Sequence, residues 1–162
     1  MSLESQPQPQ YAIRIAKLQD ISTIDKINRQ CMPENYDFGF FYRIFMMAPS
    51  FQFVVYDTNT STIVGYAMTC KVDLISSMIH IDRKFKEHSL LISIAVLPEF
   101  RQQGLGRLLM EAIVEKNKKL VLQVRKSNTA AVEMYKKYGL VVATTLPKYY
   151  KDQEDAYCMT KD

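Results

Sequence analysis

Three features of the chain predict an α+β fold with a parallel strand pair at the centre of its sheet. First, Leu90-Leu-Ile-Ser-Ile-Ala-Val-Leu97 is an almost purely apolar run that stops at Pro98. A short run of this kind suits a strand buried on both faces. Second, a glycine-containing turn follows and leads into Arg107–Val114, where Leu108, Leu109, Ala112 and Ile113 recur at helical spacing. Leu120–Val124 then reads as another strand, and a strand–helix–strand crossover joins parallel neighbours. Third, the remaining segments alternate in type. The predicted order is β-α-α-β-β-β-α-β-α-β-β, with seven strands and four helices.

Each element has its own reason. Tyr11–Ala16 alternates apolar and polar residues and reads as a first strand. Asp20 is a candidate cap for a helix whose inner face carries Ile21, Ile24, Ile27 and Cys31. Pro33 ends that helix or precedes a turn into the next. Asp37–Met47 is rich in aromatic residues and reads as a second helix ending before Pro49. Phe51–Tyr56 and Ile63–Val72 form two strands joined by the polar stretch Asp57–Thr62. Leu74–Glu87 lacks either period and reads as a long irregular loop. Asn128 caps a helix running to Tyr138, and Gly139 sits where a left-handed residue ends it. Val141–Leu146 and Ala156–Thr160 are the last strands, separated by a tyrosine-rich loop over Pro147–Glu154.

The 162 residues suggest one domain, over residues 11–162, preceded by a polar tail over residues 1–10 that reads as frayed and disordered. That tail has no apolar centre, so it does not read as a signal peptide. No run approaches the roughly 18 apolar residues of a membrane span. Cys31, Cys70 and Cys158 are odd in number and far apart, which argues against a disulfide framework or a zinc site and for a reducing, cytoplasmic setting. The net charge of +4 is uneven: residues 1–80 carry −1 and residues 81–162 carry +5. The basic residues are scattered rather than clustered, so nucleic-acid binding is not the main role expected.

The turn after the apolar strand reads Arg101-Gln-Gln-Gly-Leu-Gly106. It lacks the Gly-Lys-Ser/Thr ending of nucleotide triphosphatase loops and the three-glycine dinucleotide pattern. A helix start nevertheless offers unpaired N–H groups and the positive end of the dipole to an anion. The two glycines allow close approach, and Arg101 adds charge. A phosphate or pyrophosphate is the ligand implied, and an ordinary strand-to-helix turn is the alternative.

This arginine-led loop behind an apolar strand resembles the acetyl-coenzyme A loop of the GNAT acetyltransferases. Three further motifs narrow the resemblance. Met32-Pro-Glu-Asn-Tyr36, Val124-Arg-Lys-Ser-Asn-Thr-Ala-Ala131 with Tyr135 and Gly139, and Lys148-Tyr-Tyr-Lys-Asp-Gln-Glu-Asp-Ala-Tyr157 resemble segments of the N-terminal acetyltransferases of the archaeal Ard1 and RimI type. The resemblance spans about Ile13 to Lys161. It implies the GNAT fold: a mixed, mostly antiparallel seven-stranded sheet with about four helices and a splayed central parallel pair. It also implies acetyl-coenzyme A as co-substrate, protein or peptide N-termini as acceptors, and direct attack in a ternary complex.

By the resemblance, Ile94, Ala95, Val96, the run Arg101, Gln102, Gln103, Gly104, Leu105, Gly106 and Arg107, and also Asn128 and Tyr135, hold the cofactor. Glu34, Tyr36, Tyr149 and Tyr150 face the acceptor. An α-amino group has a pKa of about 7.7–8.0 against about 10.4 for lysine, so it needs only modest base assistance. Glu34 or a water it orients can supply that, unless Glu34 merely caps the next helix. A free backbone N–H near Val96 can stabilise the carbonyl oxygen in the transition state. Tyr135 can protonate the leaving thiolate, unless it is a core tyrosine with a satisfied hydroxyl. Glu34, Val96 and Tyr135 are thus the catalytic candidates.

Some archaeal relatives carry a histidine just before the central strand and a glutamate in the next. The matching positions here are Leu90 and Gln123, so no metal is expected. His88 is a possible substitute, although His80 and His88 otherwise read as solvated. Cys31 reads as a buried thiol. Without a long acidic tail, an auxiliary subunit is not indicated, and a monomer or weak homodimer is expected. The alternatives are acetylation of lysine, a polyamine or another small amine, and a coenzyme A-binding module without catalysis.

Overall fold

The computed structural model describes residues 7–162. Strands β1 (Tyr11–Ile15), β2 (Gln52–Asp57), β3 (Ile63–Lys71), β4 (Ser89–Val96), β5 (Leu120–Arg125), β6 (Val141–Leu146) and β7 (Ala156–Lys161) build one sheet in the order β1-β2-β3-β4-β5-β7-β6. Every neighbouring pair is antiparallel except β4 and β5. The predicted α+β class, the seven strands and the mixed sheet are all present.

Helices α1 (Ile21–Cys31) and α2 (Phe38–Met47) cover one face, and α4 (Leu105–Lys116) and α5 (Thr129–Lys137) the other. On the first face Ile21, Ile24, Phe41 and Ile44 pack on Tyr66 and Met68. On the second, Leu105, Leu109, Met110 and Ile113 pack on Val55, Val64, Leu91 and Leu122. Strand β3 is buried along nearly its whole length because it carries apolar residues toward both layers.

Some local expectations need correction. The loop after β3 is not wholly irregular: a one-turn helix α3 (Val72–Ile75) opens it, and a 3₁₀ turn spans Arg83–Phe85. Val72 therefore leaves the strand, and its N–H donates to the carbonyl of His88. Asp20 occupies the position before α1 but makes no side-chain cap there. Its carboxylate instead accepts from Arg14 at 2.6 Å and from the Lys17 N–H at 2.7 Å. Burial alone would raise that carboxyl, yet these partners hold it below the usual carboxylate range. Helix α4 begins at Leu105, two residues earlier than the apolar spacing suggested. Of the polar tail, residues 1–6 lie outside the described residues, and the carbonyls of Pro9 and Gln10 accept hydrogen bonds from Thr58.

One N-cap reading holds: the Asn128 side-chain carbonyl accepts from the Ala131 N–H at the start of α5. At the start of α2 the Asp37 carboxylate accepts from the Phe40 N–H, a cap not read from the sequence. Gly139 has φ +86° behind α5, as a helix-ending glycine should.

Candidate active site

The site exists because β4 and β5 part company. Their parallel ladder contains only Ser89 opposite Leu120 and Leu90 opposite Val121. On the β3 side, Leu91 opposes Thr69 and Ser93 opposes Met68, which leaves Ile92 as an extra, bulged residue. A bulge bends its strand and increases its twist. Beyond it β4 leans onto β3, and a cavity of about 450 Å³ opens on its other edge. That volume is in the usual range for a small-molecule site.

The backbone of β4 presents donors to this opening. Leu97 N–H donates to the Val64 carbonyl of β3 at 2.9 Å. Alternate residues of a strand turn their N–H groups to opposite edges. The amides of Ile94 and Val96 therefore face the edge that β5 has vacated. Ile94, Ala95 and Val96 all line the cavity.

The Arg101–Arg107 loop lies at one end. Gln102 and Gly104 adopt φ values of +62° and +77°, which turn successive N–H groups outward. Among the described residues, the amides of Gln102, Gln103, Gly104, Leu105, Gly106 and Arg107 have no protein acceptor. The helical ladder of α4 begins only with Leu108 N–H donating to the Gly104 carbonyl. Of the loop residues Gly106 alone lines the cavity, so the loop borders it rather than forming its wall. Leu105 buries its side chain in the core and can offer only its N–H. Arg101 is exposed, and its Nε donates to the Val96 carbonyl at 2.9 Å. It thus ties the loop to β4 while keeping its charge beside the free amides.

The opposite end is built from two loops. Glu34 and Tyr36 come from the α1–α2 connection, and Tyr149 and Tyr150 from the β6–β7 connection. Tyr36 stacks on Phe40 with ring centroids 4.3 Å apart, and Tyr149 and Tyr150 meet edge to face at 5.0 Å. Burial raises the pKa of all three phenols, so they stay neutral. Sequence reasoning missed the residue that joins the loops. Arg125, at the end of β5, donates to Glu34 and also reaches Asp152 at 2.8 Å and Glu154 at 2.7 Å. Its guanidinium lies 4.0 Å from the centre of the Tyr150 ring. Its place beside Ser127 and Asn128 in a recognised motif was the available signal. Hydrogen bonds from Ser127, and then from Arg125, pull the Glu154 carboxyl down to about 2.

Tyr135 and Asn128 line the cavity from α5. Burial pushes the Tyr135 phenol up to about 12, and its hydroxyl has no hydrogen-bond partner among the described residues. The Asn128 carbonyl is committed to its cap, which leaves the NH₂ group as a donor. Gln123 and Ser93 also line the cavity and had been given no role from sequence.

His88 is not solvated. It is buried in the turn before β4, its ring packs edge to face on Phe85, and its Nε2 lies 2.7 Å from Asp162. The strand does not extend to it and it does not line the cavity, so it does not stand in for the missing histidine–glutamate pair. Cys31 is half-buried rather than buried. It lines the cavity, with its thiol 3.7 Å from the Val96 carbonyl.

Comparison with known proteins agrees with this architecture. The Acetyltransferase (GNAT) family matches residues 21–140. An N-alpha-acetyltransferase of Sulfurisphaera tokodaii is 35% identical over 162 residues, covering 96% of this chain and 95% of the relative. Another from Sulfolobus acidocaldarius is 36% identical, covering 92% and 90%. Among solved structures, Ard1 from Thermoplasma volcanium superposes with a TM-score of 0.78 at 26% identity, covering 94% of this chain and 97% of that one. Chaetomium thermophilum Naa20, solved in complex with a bisubstrate analogue, has a TM-score of 0.73 at 29% identity, covering 93% and 85%. With its splayed β4–β5 pair and its amide-lined loop at the start of α4, the chain belongs to the GNAT acetyltransferase family.

Proposed function

We propose that this protein transfers an acetyl group from acetyl-coenzyme A to the α-amino group of a protein or peptide, by direct attack within a ternary complex. The carrying observation is one shared cavity between β4 and β5. The Ile94–Val96 backbone, Gly106, Asn128 and Tyr135 border it on one side, and Glu34, Tyr36, Tyr149 and Tyr150 on the other. Donor and acceptor can meet in one space without a covalent intermediate on the protein. Relatives named N-alpha-acetyltransferases and the bisubstrate complex of Naa20 support the same reading.

The chain supplies binding, orientation and charge stabilisation. The free amides from Gln102 to Arg107, with Arg101 beside them, suit a diphosphate. The Asn128 NH₂ group and the β4 amides suit the amides of the pantetheine arm. The Val96 and Ile94 N–H groups face the position where negative charge grows on the thioester carbonyl oxygen. Arg125 occupies Oε1 of Glu34, and Oε2 remains for the substrate ammonium or a water. Tyr135 donates a hydrogen bond to the departing sulfur. At about 12 its phenol is a weaker acid than an ordinary thiol, near 8.5, so hydrogen bonding to the thiolate is favoured over full protonation.

Cys31, Cys70 and Cys158 are unpaired, which fits a reducing, cytoplasmic compartment. The test is turnover of acetyl-coenzyme A against a library of peptides varied at the first residue, with the acetyl group located by mass spectrometry. Acetyl on the α-nitrogen is expected. Acetyl confined to lysine side chains or small amines overturns the acceptor assignment. Binding of acetyl-coenzyme A with no turnover of any amine overturns the enzyme.

A further inference from the structure

A buried chain of hydrogen bonds runs from the acceptor loop to the cavity, and donor counting gives it a direction. The Tyr36 backbone N–H donates to the Asn28 side-chain carbonyl at 3.3 Å. That contact fixes the amide's orientation, because a backbone N–H can only donate. The Asn28 NH₂ group therefore faces the Tyr66 hydroxyl at 2.9 Å and donates to it. Tyr66 must place its own hydrogen elsewhere. Its side chain is fully buried, and the one acceptor within reach is the Ser93 hydroxyl oxygen at 2.7 Å. Burial holds the Tyr66 phenol up at about 12, so the hydrogen is present throughout the working pH range. Ser93, which receives it, keeps its own hydrogen free.

Ser93 is more than nine-tenths buried, yet it lines the cavity, and no other protein group among the described residues accepts from it. It is joined by one peptide bond to Ile94, whose N–H faces the opening left by β5. Two donors of adjacent residues thus stand at the strand splay. The group complementary to a pair of donors is an oxygen carrying negative charge.

We propose that the Ser93 hydroxyl is a second donor to the acyl carbonyl oxygen, aimed by the Tyr36–Asn28–Tyr66 chain. This rests on the acyl-transfer reading of the site and deepens it. Ser93 touches the reacting group, and Asn28 and Tyr66 are positioning residues. The chain also begins at Tyr36, on the acceptor loop, so the geometry of that loop and the aim of the donor are linked.

The test is a kinetic comparison of Ser93→Ala, Ser93→Thr, Tyr66→Phe and the Ser93→Ala/Tyr66→Phe double variant. It uses whichever amine the wild type acetylates, and acetyl-coenzyme A affinity by calorimetry reports on folding. A donor that acts on the transition state lowers kcat and leaves KM and the acetyl-coenzyme A Kd nearly unchanged. Loss of such a donor is worth on the order of a hundredfold, and about tenfold or more is expected for Ser93→Ala because Ile94 N–H remains. Ser93→Thr, which keeps the hydroxyl, restores most of the rate. Tyr66→Phe slows kcat by a smaller factor, and the double variant is no slower than Ser93→Ala alone. Wild-type kcat in Ser93→Ala, or multiplying losses in the double variant, overturns the proposal. A wild type that acetylates only small amines overturns the peptide assignment while leaving the Ser93 comparison readable.

Discussion

Glu34 owes its position to Arg125 as much as to its own loop, because the guanidinium holds one carboxylate oxygen and leaves the other toward the cavity. In the proposed reaction, a carboxylate placed this way orients an amine that is already partly neutral near pH 8. Glu34→Gln keeps the shape and removes the charge. Its kcat/KM on peptides is expected to fall about tenfold at neutral pH, less than the roughly hundredfold or more of full general-base catalysis, because the α-amine needs little assistance. The gap should narrow above about pH 8, where the α-amine deprotonates unaided. A pH–rate profile checks this; parallel profiles would exclude the role. Tyr135 behaves differently, since its side chain is largely buried, its hydroxyl has no protein partner among the described residues, and its pKa is pushed up to about 12. Tyr135→Phe is expected to lower kcat by roughly ten- to a hundredfold with acetyl-coenzyme A affinity retained. Unchanged single-turnover rates would rule out contact with the leaving group.

The element on which the site depends is β4, and its course is set by its neighbour. Gly65 of β3 lies opposite Val96. A β-carbon at Gly65 would sit 2.8 Å from the Ala95 carbonyl oxygen and 2.9 Å from Val55 Cγ1, so β4 can lie this close only because Gly65 has no side chain. Gly65→Ala is expected to destabilise the fold by about 1–3 kcal/mol, the range for overpacking a close-packed interior. It should also weaken acetyl-coenzyme A binding by displacing the Ala95–Val96 backbone. Urea denaturation and calorimetry measure the two effects. A variant as stable as wild type would mean that the strand pair can spread without loss. The start of α4 carries the second element-scale feature: Gly104, at φ +77°, lets the chain turn so that its first amides stay unpaired.

Across the whole molecule, Arg125 gathers the α1–α2 loop and the β6–β7 loop onto the end of β5. Arg125→Leu leaves Glu34, Asp152 and Glu154 facing one another without a cation. A roughly tenfold or larger rise in peptide KM is expected, with the acetyl-coenzyme A Kd little changed. Equal losses in both would point to general unfolding. The same cluster has an acid signature. Glu154 is held at about 2, below its value of about 4.3 in an unfolded chain. A depressed carboxyl contributes stability that is complete above the unfolded value and is lost as pH falls through the folded one. Wild type should therefore lose stability relative to Glu154→Gln between about pH 4.5 and 2, and their difference should be flat from pH 6 to 8. Denaturation midpoints across pH test this.

Strands, helices and the glycine-containing turn before α4 were legible in the chain because they depend on neighbours in sequence. The apolar run Leu90–Leu97, the turn at Gly104 and Gly106, and the helix ends at Asn128 and Gly139 each express a local rule. Glu34, Tyr36, Tyr149 and Tyr150 became candidates through the resemblance of short motifs, and all four line the cavity. What the sequence could not reveal was which of these groups meet. His88 looked exposed and is buried against Phe85 and Asp162, and Asp20 looked like a helix cap and pairs with Arg14. Arg125 and its three carboxylates span more than ninety positions of the chain, and Asn28, Tyr66 and Ser93 come from three separate elements. Hydrogen bonds and ion pairs act over about 3 Å whatever the sequence separation. The sequence by itself therefore determined the elements and the family they form, and tertiary packing alone decided which donors and charges converge on the cavity.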